Sequence, residues 1–131
     1  MEEAIISKLL ADSGVAALVG NRVFPGSRPQ ASALPCIVMY RISGAPGYAD
    51  DGEIGIEQAR MQLDCWGQTF TSAKQVSRAV RSALSAFHGV HAGVNFRFIE
   101  LDLERDTRET GTDAVVYLFR TSLDFIVVFD N

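Results

Sequence analysis

The chain has 131 residues, 47% of them hydrophobic and 21% charged, and carries a formal net charge of −4. That length fits one domain, and the apolar content excludes a disordered chain. The acidic balance argues against a dedicated nucleic-acid binder, which shows a basic patch.

Residues 2–12 read as a short helix, because Ile5, Ile6, Leu9 and Leu10 recur at helical spacing and Glu2 and Glu3 favour its start. Ser13-Gly14 breaks it, and residues 15–19 form a further turn closed by Gly20-Asn21. Residues 22–35 hold Pro25, Pro29, Pro35 and Gly26, which prevent a regular element beyond a brief extended pairing at Val23-Phe24. Residues 36–43 read as a strand apolar on both faces, hence central. The segment 44–55 reads as a flexible acidic loop, long enough to be functional. Residues 56–66 alternate, with Ala59, Met61, Leu63 and Cys65 on one face and Arg60, Gln62 and Asp64 on the other, as in a half-buried strand.

Residues 70–87 are the clearest helix. Thr69 or Thr71 caps it, Ala73, Val76, Val80, Ala83, Leu84 and Phe87 form its apolar stripe, and Gly89 ends it. Lys74, Ser77, Arg78 and Arg81 lie off the stripe. Residues 94–104 make another strand whose alternation changes phase between Phe98 and Ile99, the mark of a bulge or twist. A polar loop follows over 104–114. Residues 115–129 form a last, long strand, with Tyr117, Phe119, Thr121, Leu123, Phe125, Val127 and Phe129 on one face and Arg120, Ser122 and Asp124 on the other. At more than twice the ordinary strand length, it bends or projects beyond the domain body.

These elements predict an α+β domain: an antiparallel sheet of about four strands, one long helix packed on one face, and a short N-terminal helix. The opposite sheet face is polar, carrying Arg41, Arg60, Gln62, Asp64, Arg120, Ser122 and Asp124. It is either solvated or lines a subunit contact or a channel.

No reaction centre is legible. His88 and His91 supply two imidazoles where a structural zinc needs four ligands. Asp50-Asp51-Gly52-Glu53 lacks the spacing of a calcium-binding EF-hand loop. Phosphate-binding glycine motifs and the G-x-S-x-G nucleophile elbow are absent. Cys36 and Cys65 are too few for a disulfide framework and read as buried thiols, although a bridge between neighbouring strands stays open. A nucleophilic Cys65 is disfavoured on a buried strand face. Trp66 reads as a packing residue. No cofactor or metal is expected. Met1-Glu2-Glu3 is acidic where an export signal is positive, and the apolar runs at 114–119 and 125–129 are too short to cross a bilayer, so cytoplasmic synthesis without membrane insertion is expected.

The order of segments resembles a known family. It shows an N-terminal helix with a break, then GNRVFPG, LPCIVMYRISG, MQLDCWG, the helix AVRSALSAF and the closing RTSLDFIVVF. Over nearly its whole length this is similar to the small tail-completion proteins of long-tailed phages, also called tail terminators or head-to-tail joining proteins. Related subunits occur in prophages and gene transfer agents. The resemblance implies a structural, non-enzymatic subunit of a six-fold ring that caps the tail tube and docks to the head connector, while DNA passes through the hole. Its partners would be further copies of itself, the tail tube protein and the connector proteins. The family brings no catalytic residues to carry over. An acidic balance suits a channel that must not trap DNA.

Candidate interface or lumen residues are Tyr48, Asp50, Asp51 and Glu53 in the first loop and Arg105, Arg108 and Glu109 in the second. Arg41, Arg60, Asp64, Arg120 and Asp124 mark the polar face. Two other readings remain from the residues: a small ligand-binding or regulatory α+β module, and an enzyme using Cys65 or the histidines.

Overall fold

A computed structural model describes residues 1–110 and 117–131. Helices α1 (Glu2–Ala11) and α2 (Ser13–Val19) open the chain. The break between them falls at Asp12, one residue before the expected Ser13-Gly14. The extended backbone of Asp12 ends α1, and its carboxylate accepts a 3.0 Å bond from the Val15 N–H as the cap of α2. The longest helix, α3 (Phe70–Leu84), is capped by the Thr69 hydroxyl, which accepts from the Ser72 N–H at 3.0 Å. It stops three residues short of Phe87, because Ser85 leaves helical geometry and Ala86 takes a φ of 63°. Phe87 still joins the core, edge-on to Phe96 with ring centroids 5.8 Å apart.

Among the described residues six strands form one sheet: β1 (Val23–Pro25), β2 (Cys36–Ala49), β3 (Gly52–Gly67), β4 (Gly89–His91), β5 (Val94–Thr110) and β6 (Tyr117–Asp130). Their order is β1-β2-β3-β6-β5-β4. β1 runs parallel to β2, and every other neighbouring pair is antiparallel. The sheet curls into a half-barrel. This corrects the expected antiparallel sheet of about four strands under one long helix. The described residues are mostly sheet, mixed in direction, with three short helices. The brief pairing expected at Val23-Phe24 is edge strand β1, whereas β4 at the other edge has no signal, three residues being too few to show a period, and the Gly, Pro and Asp content of 44–55 has the look of a loop.

That segment is instead a β-ribbon. β2 and β3 continue to the pair Ala49↔Gly52, with Asp50 and Asp51 alone in the turn. Gly52 sits at φ 131°, which a side chain would resist. The expected loop over 104–114 is strand as far as Thr110, and its remainder, with the start of the strand expected at 115, lies outside the described residues. The phase change expected between Phe98 and Ile99 is a bulge one step earlier, between Phe96 and Phe98, and a second lies between Leu101 and Leu103. The bulged Arg97 reaches Asp130 at 2.7 Å.

The core lies between the helices and one sheet face. β3 and β6 place Ala59↔Val127, Met61↔Phe125 and Leu63↔Leu123 in register there. Val76, Val80 and Leu84 of α3 cover them, with Ile5 and Leu9 of α1 and Val15 and Val19 of α2. Each such side chain contributes about 1.5–3 kcal/mol by leaving water.

The close approach of β3 to α3 depends on Gly67. A Cβ there would stand 2.7 Å from the Ala73 backbone nitrogen and 2.9 Å from Ser72 Cβ, neither of them a flexible tip. We expect Gly67→Ala to cost about 1–3 kcal/mol by overpacking. Chemical denaturation reads this directly, and an unchanged midpoint would show that the helix can retreat without loss.

Candidate functional site

The sheet face turned away from the helices carries a compact lattice of charge. Register puts Arg60↔Ile126, Gln62↔Asp124, Asp64↔Ser122 and Trp66↔Arg120 on it. Asp64, only 1% exposed, accepts from Ser122 Oγ at 2.6 Å and from Gln62 Nε2 at 2.8 Å. The Arg120 guanidinium lies 3.7 Å from Asp64, 3.2 Å from Glu109 and 5.1 Å above the Trp66 ring. Arg60 bridges Asp124 at 3.1 Å and Asp102 at 2.5 Å. Arg105 stands 3.5 Å from Asp124 Oδ1, an oxygen that is buried and accepts no hydrogen bond of proper geometry. Three guanidiniums thus interleave with the four carboxylates of Asp64, Asp102, Glu109 and Asp124. Such a face is polar but nearly neutralised within itself, so it offers a phosphate little unspent positive charge.

The sequence-derived candidates distribute unevenly over the structure. Arg60, Asp64, Arg120 and Asp124 converge in this lattice, and so do Arg105 and Glu109, expected in a loop but held on β5. Arg108 stands opposite Phe119 on the helix side, exposed. Arg41, expected on the polar face, is opposite Met61 on the helix side. It keeps the parity of Ile37 and Met39, the bulge between Arg41 and Ser43 lying beyond it, and the guanidinium is clamped by Glu57 and, at 3.0 Å, by Glu2. Tyr48, Asp50, Asp51 and Glu53 lie at the far tip of the β2–β3 ribbon.

β6 ends opposite Ile56, and the Asn131 N–H still reaches the Gly55 carbonyl at 3.0 Å, so residues 47–54 run beyond the sheet body as a two-stranded arm. At about 3.3 Å per residue it projects roughly 13 Å. Tyr48 is 68% exposed on it and Ile54 is 52% exposed. Ile54 packs across Gly47, where a Cβ would meet its Cδ1 at 2.8 Å.

At the opposite end of the same two strands, a recess of about 230 Å³ is lined by Val38, Tyr40, Trp66 and Leu118, with Ser27 and Arg28 at its rim. Trp66 therefore does more than pack against the core. It has the same strand parity as Arg60, Gln62 and Asp64, and that parity was the available signal. A larger open groove of about 610 Å³ lies at the base of the arm, between Pro46, Ile54, Ile56 and Val128.

The other polar candidates do not converge. His91 Nε2 is 3.2 Å from Ser7 Oγ, while His88 faces its own turn at Ala86 O. Cys36 is opposite Trp66 and Cys65 opposite Ile37, so the two thiols point to opposite faces and both are free. Burial pushes both thiols up from their ordinary values, away from a nucleophilic thiolate.

Carboxylates at the sheet margin titrate low. Burial pushes the Asp106 carboxyl up, but bonds from Lys74 and Thr121 outweigh it and hold the group below the ordinary range. Arg97 and then Asn95 do the same for Asp130. Lowered folded values mean that this stabilisation is complete above the unfolded pKa, about 4, and is lost as pH falls through the folded values. The melting temperature should fall between pH 5 and pH 2, and the double variant Asp106→Asn/Asp130→Asn should flatten that slope. An unaltered slope would place the acid sensitivity elsewhere.

A nearly neutralised sheet face, a projecting arm and a recess at the opposite end define a protein of surfaces. The sequence pattern of the family described as Tail completion protein gp17 matches residues 3–130. The chain belongs to that family of virion structural proteins. Among solved structures it is similar to a chain of the virion of a native gene transfer agent (GTA) particle, with a TM-score of 0.81 and 20% identity. The match covers 100% of this chain and 95% of that one. At that identity the likeness shows the shared fold. No curated protein matches the chain.

Proposed function

We propose that the protein is the subunit of a ring, hexameric by the family resemblance, that completes the tail tube of a phage-like particle and joins it to the head connector. DNA passes through the lumen without specific binding, and the protein performs no catalysis. The observation that carries this reading is the family match over residues 3–130. The fold shared with a gene transfer agent virion chain supports it. So does the asymmetry of the sheet, with an arm at one end and a recess at the other, because a ring needs two different surfaces that meet head to tail. The self-neutralised lattice around Asp64 and Asp124 suits a wall that DNA slides past. Assembly would take place in the bacterial cytoplasm, with the tail tube protein below and connector proteins above.

The test is particle assembly without this chain. Tails of uncontrolled length, unattached to heads and rescued by the purified protein, are expected. Normal tails joined to heads in its absence would overturn the proposal.

A further inference from the structure

We infer that the tip of the β2–β3 arm of one copy seats in the Trp66 recess of the next copy, with Tyr48 as the anchor and Arg28 as the ionic partner of the acidic turn. This contact rests on the ring reading and gives it a chemical address.

The tip combines an exposed aromatic ring with three exposed carboxylates, Asp50, Asp51 and Glu53. Among the described residues, the one side-chain hydrogen bond they make is a 3.4 Å bond from the Tyr48 hydroxyl to Glu53. The recess offers the complement. Its walls are Val38, Tyr40, Trp66 and Leu118, and Arg28 at the rim has no carboxylate within ion-pair reach among the described residues. Arg28 stays half-buried in a loop whose neighbours Ser27 and Pro29 are exposed. Aromatic and arginine side chains in partly desolvated recesses are what concentrate interface energy.

Geometry favours a second copy as the occupant. Arm and recess lie at opposite ends of the same strands β2 and β3, so a copy that donates its arm cannot fill its own recess with it. Each copy is then donor on one side and acceptor on the other, the arrangement that propagates and closes by rotation.

Charge reversal tests this with an internal rescue. The tip-reversed chain (D50K, D51K, E53K) has a basic tip and keeps Arg28. The recess-reversed chain (R28E) has an acidic recess and keeps its acidic tip. Each alone juxtaposes like charges and should self-associate at least about tenfold more weakly than the native chain. Mixed in equal amounts, they should recover rings in which the two chains alternate, as light scattering and negative-stain microscopy would read. Tyr48→Ala should weaken self-association without lowering the melting temperature. If the native chain forms rings and both reversed chains form them equally well, this contact is wrong and the ring reading stands. Reversed chains that fail alone and are not rescued on mixing also overturn it. A native chain that never assembles, with or without tail tubes, removes the ring reading and this contact together.

Discussion

Phe125→Ala should lower the unfolding free energy by about 3–5 kcal/mol, the largest effect of any single substitution considered. Phe125 is 0% exposed in the most central strand pairing, with Met61 opposite it on β3 and Leu101 opposite it on β5. Its ring fills the layer between those strands and the covering helices. Removing it takes away the transfer energy of the ring and leaves a cavity that two long, fully paired strands cannot collapse around. For a chain of this length the melting temperature should drop by roughly 10–20 °C. Denaturant unfolding gives the free energy, and a loss under about 1 kcal/mol would mean that the central layer is loosely packed.

The second large effect falls on the charged lattice. Asp64→Leu should cost about 3 kcal/mol, although the change adds apolar surface to a buried site. Ser122 Oγ and Gln62 Nε2 lose their acceptor, and the Arg120 guanidinium loses one of its two carboxylates, keeping Glu109 and the Thr107 hydroxyl. Asp64→Asn retains an acceptor oxygen and should cost much less. The double variant Asp64→Leu/Ser122→Ala removes both the acceptor and the stranded hydroxyl, so it should recover part of the loss. A strictly additive double variant would show that the Ser122–Asp64 bond contributes nothing beyond its parts.

These expectations rest on positions of unequal legibility. The core faces of β3 and β6 were readable because period-two alternation over 59–65 and 120–125 is intact, and the two strands pair without a bulge. The α3 stripe was readable for the corresponding reason at helical period. The arm was not, because Gly44, Pro46, Gly47 and Asp50-Asp51 have the composition of a loop. What makes them strand is cross-strand pairing down to Ala49↔Gly52, a relation between segments that no local window shows. Arg41 was misplaced because its charge, rather than the alternation, decided its face: Ile37, Met39 and Arg41 share the helix side in unbroken period two, and the bulge lies beyond Arg41. The placement of β6 between β3 and β5 is a long-range choice with no local signature. For the candidate site, the lattice residues of β3 and β6 were visible as alternate polar positions. The recess was not, since Arg28 sits in a proline-bounded segment that carries no period.

Assembly is read without intermediaries by solution mass measured together with negative-stain microscopy of the same sample. Annular particles of roughly six times the 14.3 kDa chain are expected, formed by the protein alone or on tail tubes. A mass that stays at 14.3 kDa, with no annular particles even when tail tubes are added, would contradict it.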